Sequence, residues 1–138
     1  MATPSERTVQ LLRKLDWTVA RVERDMARPA PDPLHPGKTK MMYWKADLFN
    51  LADYIAFGHG RVLLVQCTNA GNHANHITKI SENPITRQWT ANGQEIVLVG
   101  WHPEAKTQPR LTIWRGTQWA FEISALTYLV GKQEEALL

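Results

Sequence analysis

The chain has a single cysteine, Cys67, so no internal disulfide can form, which fits a reducing compartment. No apolar run approaches the ~20 residues that cross a bilayer. The opening Met1-Ala2-Thr3-Pro4-Ser5-Glu6 lacks the apolar core of an export signal. The expectation is therefore a cytoplasmic protein with no membrane partner. Excess charge of one sign is scarce as well: the net charge is only +3 over 138 residues, too little by itself to imply a polyanionic partner. No internal repeat and no compositional break marks a second domain.

What is present is ordinary globular composition, with 43% hydrophobic and 21% charged residues, enough for one domain spanning residues 1–138 around one core. The distribution of the basic residues says more than their number. They gather at Arg7, Arg13, Lys14, Arg21 and Arg24, and again at Lys38, Lys40 and Lys45. Six tryptophans are many for this length; such rings fill cores and rims, and they also stack on bases.

Ser5 reads as an N-cap, and Val9, Leu11, Leu12 and Leu15 follow at near-helical spacing, predicting a helix over Glu6–Leu15. Trp17 to Arg24 alternates and is rich in β-branched residues, predicting a strand. Ala27 to Gly37 holds four prolines, which exclude a helix interior or a central strand. Residues 26–46 are therefore expected to form a Pro-rich basic loop. Leu51–Phe57 and Arg61–Cys67 read as strands joined by the Gly58-His59-Gly60 turn. Val62 to Val65 is apolar on both faces, as in a central strand covered on both sides. Helices are predicted over His73–Ser81, with Asn72, Asn75, His76 and Lys79 on one face, and from Pro84 through Trp89. Glu95–Trp101, Arg110–Trp114 and Trp119–Ile123 read as further strands, and residues 124–138 as a C-terminal segment. The order of elements argues for an α/β fold, a mixed sheet flanked by helices.

Asp53 lies within an apolar strand, where a carboxylate needs a partner, and the hairpin sets it near Gln66. A carboxylate beside an amide oxygen suits a hard divalent cation. Glu6 is placed to add a third oxygen, although a carboxylate in a first helical turn also suits the helix dipole. Asp47 offers another ligand or a turn residue before Asn50. His76 and Lys79, one helix on, can meet phosphate or assist proton transfer. Cys67, His73 and His76 have zinc-like spacing but lack the fourth ligand of a structural site.

The run of helix, strand, loop, Asp47-Leu-Phe-Asn-Leu-Ala-Asp53, hairpin, Leu63-Leu-Val-Gln-Cys-Thr68 and helix resembles the core of PD-(D/E)XK nucleases. It is most similar to small phage-type and Holliday-junction-resolvase-like members, over roughly Glu6 to Ile80. The resemblance implies an α-β-β-β-α-β restriction-endonuclease-like core. It implies a metal-dependent DNA endonuclease or junction-resolving activity, with Mg²⁺ or Mn²⁺ held by Asp53, Glu6 and Gln66. Asp53 and Gln66 would be catalytic, with Lys79, or else Lys45, standing in for a lysine missing from the third-strand motif. In that motif Gln66-Cys67-Thr68 replaces acid-x-lysine, and Thr68 cannot stabilise charge as lysine does. Lys38, Lys40, Lys45, His73, His76, Lys79 and Arg87 are the candidate DNA contacts. Junction-resolving relatives act as dimers, so a homodimer is implied. The altered motif also admits an inactive module of this fold that binds nucleic acid, or one that binds a host protein through a tryptophan-rich surface.

Overall fold

The computed structural model describes residues 2–103, 108–116 and 118–131. Helix α1 (Pro4–Lys14) leads to β1 (Thr18–Arg21) and then to a two-stranded ribbon, β2 (Arg24–Pro31) and β3 (Thr39–Ala46). Strands β4 (Tyr54–Gly58) and β5 (Arg61–Asn69) follow, then a 3-10 turn and helices α2 (His73–Glu82) and α3 (Pro84–Thr90). Strands β6 (Glu95–Trp101), β7 (Arg110–Arg115) and β8 (Gln118–Ile123) precede α4 (Ala125–Val130). The main sheet has six strands in the order β1-β4-β5-β6-β7-β8. Only β5 and β6 pair in parallel; the other neighbours are antiparallel.

Local chemistry accounts for the boundaries. The first helix is capped by Thr3 rather than Ser5: Thr3 Oγ1 accepts from the Glu6 N–H and Glu6 Oε2 accepts from the Thr3 N–H, each at 3.1 Å. This reciprocal box satisfies two donors that would otherwise lack partners and leaves Pro4 in the first turn, where no N–H is needed. The β4–β5 hairpin turns on His59 and Gly60, whose φ values of 51° and 72° give the mirror-image turn that matches strand twist. Parallel strands cannot be joined by a hairpin, and α2 and α3 make the crossover between β5 and β6.

Both faces of the sheet are covered. On one, Leu12 and Leu15 of the α1 end and Tyr128 and Leu129 of α4 pack on Leu63, Val65, Cys67, Val97 and Ile113. On the other, Ile80 of α2, with Ile77, Ile85 and Trp89 around it, packs on Leu64, Ile96, Leu98 and Trp114. The fold is thus α/β, a mixed sheet between helical layers.

Two expectations are corrected. Residues 26–46 are not a loop, because β2 and β3 pair without a break from Arg24↔Ala46 to Pro31↔Thr39. Pro29 and Pro31 are tolerated because both strands of an isolated ribbon are edges, and residues two apart turn the same backbone side outward. The strand expected to begin at Leu51 begins at Tyr54. Before it, Phe49 and Asn50 adopt φ of 55° and 58° and fold the chain back, so that Leu48 bridges Ala52. Of the segment 124–138, α4 ends at Gly131, whose φ is 86°, and residues 132–138 lie outside the described residues.

His73 begins α2 and is buried, with Nε2 2.8 Å from Thr112 Oγ1. Its imidazole lies directly over Gly100 of β6, where a Cβ would collide with the ring. Gly100→Ala must therefore push α2 off the sheet or force the ring from its place. Urea unfolding should show a loss of about 1–3 kcal/mol, the usual cost of overpacking. Unchanged stability would mean that α2 does not bear on β6 through this contact.

Candidate metal centre

Glu23, at the end of the link from β1, Asp47, just past β3, and Asp53, just before β4, meet at one point. Each brings a carboxylate oxygen, and the three oxygens lie within 4.8 Å of one another. Asp53 is fixed by its backbone and its side chain together. Its N–H donates to Val65 O at 2.9 Å, and its carbonyl accepts from Val22 and Glu23 at 2.8 and 3.1 Å. Its Oδ2 accepts from the Cys67 N–H at 3.1 Å. Asp47 is returned towards Asp53 by the turn through Phe49 and Asn50, in which the Asn50 N–H donates to Asp47 O at 3.3 Å. Asn83 Nδ2 donates to Phe49 O at 2.9 Å, which holds this left-handed turn to the start of α3.

Gln66 lies on the neighbouring strand β5. The ladder with β4 ends at Tyr54↔Val65, and Asp53 bonds to the two residues that flank Gln66: its N–H donates to Val65 O and its Oδ2 accepts from the Cys67 N–H. Alternation along β5 sets Gln66 on the face of Leu64, under α2. The side chain is 6% exposed, and its Oε1 accepts no hydrogen bond among the described residues. A buried amide oxygen without a donor costs free energy, and it is free to ligate a cation.

The electrostatics express crowding. Burial above all, then a shared proton with Asp47 and the nearby charges of Asp47 and Glu23, push the Asp53 carboxyl up to about 8, although the Cys67 N–H works the other way. Glu23 is held below the ordinary carboxylate range: burial opposes this, but hydrogen bonds from Arg21 and Asp53 and the charge of Lys45 outweigh it. Lys45 Nζ lies 3.7 Å from Glu23. Burial pushes the Cys67 thiol up to about 12, so it is no thiolate ligand. His76 is shifted towards the neutral form by burial and by Lys79.

An open cleft of about 610 Å³ runs along the site, lined by Lys45, Asp47, Asn50, Lys79, Glu82 and Asn83 among others. A second, of about 550 Å³, opens between Arg21, Glu23, Arg24, Asp47 and Phe49. Asp47 therefore stands between the two, with Asp53 buried behind it.

Of the residues expected at the site, Asp53, Gln66 and Lys79 fall at this end of the sheet. Glu6 does not join the carboxylates. It is spent on the α1 cap, and α1 packs on the opposite face of the sheet from Gln66. His73 is withdrawn from the surface, while His76 is half-buried and Arg87 is exposed on α3. Lys40 and Lys45 are exposed on β3, and Lys38 sits at the ribbon tip. Glu23 was missed because it read as a strand residue. Its signal lies in position: Glu23 and Asp47 bracket an inserted segment, and a ribbon returns its two ends to the same place.

No protein-family model, curated protein or solved structure significantly matches this chain.

The raised carboxyl of Asp53 carries a pH signature. In the cation-free protein the folded state holds a proton that the unfolded chain releases near pH 4, so this contribution to stability is complete below that pH. It declines as pH rises and is lost above about 8. Asp53→Asn keeps an oxygen for the Cys67 N–H and removes the charge. Its Tm in EDTA should exceed that of the wild type at pH 9 and match it at pH 4. A Tm difference that does not change with pH would contradict the crowded-carboxylate account.

Proposed function

We propose that the chain is a divalent-cation-dependent DNA endonuclease or junction-resolving enzyme of PD-(D/E)XK type. The observation that carries this reading is the convergence of three carboxylates, Glu23, Asp47 and the buried Asp53. This is an all-oxygen donor set, of the kind that suits Mg²⁺ or Mn²⁺ rather than softer metals. The order of helix, antiparallel β1-β4-β5, crossover helices and parallel β6 supports it, as does the position of Asp53 next to the third strand of that series.

In this reading Asp53, Asp47 and Glu23 would hold the cation, and Gln66, whose buried oxygen has no donor among the described residues, would be the neutral fourth ligand. When bound, the cation lowers the pKa of a water and offsets charge on the phosphate. Lys79 and Lys45, which both line the cleft, would draw the phosphodiester towards Asp47. Lys79 also stabilises the charge that builds on the phosphoryl oxygens as water attacks. His76, kept neutral beside Lys79, is suited to accept a proton from that water. Thr68 is buried and takes no part.

That burial favours one second reading. A chain with no cation at position 68 could keep the fold and bind DNA without cutting it. Incubation with branched, duplex and single-stranded DNA, with Mg²⁺ or Mn²⁺ against EDTA, separates the two. An enzyme should cut one of these substrates in a cation-dependent way. Asp53→Asn should then reduce cleavage on the order of 10²-fold or more, and Lys79→Ala by a comparable factor, with both variants folded. Binding without cleavage under either cation would leave the inactive module standing.

A further inference from the structure

The β2–β3 ribbon pairs with no strand of the main sheet, and every residue from Thr39 to Lys45 is exposed. Two strands alone bury too little to justify themselves by stability. Yet this ribbon carries Met41, Met42, Tyr43 and Trp44 in succession, exposed by 47%, 44%, 77% and 41%.

Strand alternation sorts its side chains into two unlike faces. The register Arg24↔Ala46, Met26↔Trp44, Arg28↔Met42 and Ala30↔Lys40 puts Arg24, Arg28 and Lys40 on one face, with Trp44 and the two methionines between them. That face has no carboxylate. The other face has Asp25 paired with Lys45, and otherwise Ala27, Pro29, Pro31, Thr39, Met41 and Tyr43. At the tip, Asp32 is turned inward on the loop, accepting from the Leu34 N–H at 2.9 Å and meeting His35 Nδ1 at 2.9 Å. The Arg28 guanidinium lies 5.6 Å from the centre of the Trp44 ring, which holds an extended cation over an exposed aromatic.

We propose that this ribbon is a grip for duplex DNA, applied through its Arg24–Arg28–Lys40–Trp44 face. A two-stranded ribbon is of a size to enter the major groove. Six residues separate Arg24 from the level of Lys40, so the row of cations runs roughly 20 Å at the rise of a strand. That spans about six base pairs. The segregation of charge chooses the partner: three cations and no anion on one face complement a phosphate backbone. A protein partner would be served as well by the opposite, apolar face. The proposal deepens the nuclease reading and rests on it for the polynucleotide. It adds a contact surface separate from the carboxylates, anchored on the segment that carries two of them.

The test is fluorescence anisotropy with a labelled duplex in EDTA, across a salt series, so that no cleavage intervenes. The double variant Arg28→Ala/Lys40→Ala is compared with Arg13→Ala/Lys14→Ala, which removes the same charge from α1. The ribbon variant should bind on the order of tenfold or more weakly, and its log–log salt slope should be shallower by about 1.8. The α1 variant should stay near wild type, and circular dichroism should show both folded. Equal losses in the two variants, no loss in the ribbon variant, or no duplex binding by the wild type at low salt would each overturn the grip. Cleavage in Mg²⁺ or Mn²⁺ is scored separately. A ribbon-dependent binder that never cuts sinks the nuclease reading and leaves the grip, whereas a ribbon variant that binds and cuts normally does the reverse.

Discussion

The parallel pairing of β5 with β6 is the constraint from which the rest of the arrangement follows. The other joins in the main sheet are antiparallel, and the β4–β5 join is a tight hairpin. A parallel neighbour requires the chain to leave the end of β5, cross a face of the sheet and begin again at the far side. The crossover carries α2 and α3 over Leu64 and Leu98 and sets His76 and Lys79 above the end where β5 stops. Because β4 runs opposite to β5, its start abuts that same end. Asp53 and the crossover helix lie at one end of the sheet for this topological reason. Ligand sites of open α/β sheets tend to lie at such carboxyl ends.

Interior charge is the second theme. A carboxylate as buried as Asp53 would ordinarily be selected against or neutralised by a base. Here its closest companions are two more carboxylates, and the basic residues Arg21 and Lys45 attend to Glu23 instead. The molecule accommodates the crowding by keeping a proton on Asp53 and by directing the Cys67 N–H at its oxygen. Such an arrangement gains nothing for folding, which is why it argues for a site and not for a structural network.

The sheet was legible from the sequence where burial is two-sided. Glu95–Trp101 came out at its true bounds because it is apolar on both faces and is stopped by Gly93 and Pro103. The hairpin was legible because His59 and Gly60 are turn residues flanked by apolar runs of strand length. The ribbon was not, since proline excludes only a central strand and an isolated pair has none. Glu6 drew attention as a helix acid, but a carboxylate three residues after a threonine is equally a capping box. The latter won because its partner is local. His73 showed no sign of burial, which depends on Gly100, a residue distant in sequence that leaves room for the ring. Asp47 and Glu23 could be brought to Asp53 only by knowing that residues 24–46 form a ribbon. The site is a long-range property of that insertion.

Glu23 is the residue before β2 and Asp47 the residue after β3. The two feet of the ribbon are therefore also two corners of the carboxylate triangle, and the third corner belongs to the rigid sheet. Hydrogen bonds to Asp53, and the charge of Lys45 on Glu23, tie these two feet to the third corner. The stem pairs with no strand of the main sheet, and the Glu23 N–H, which donates to Asp53 O, joins its foot to that sheet. A load placed on the ribbon is therefore borne where two of the three carboxylates are rooted.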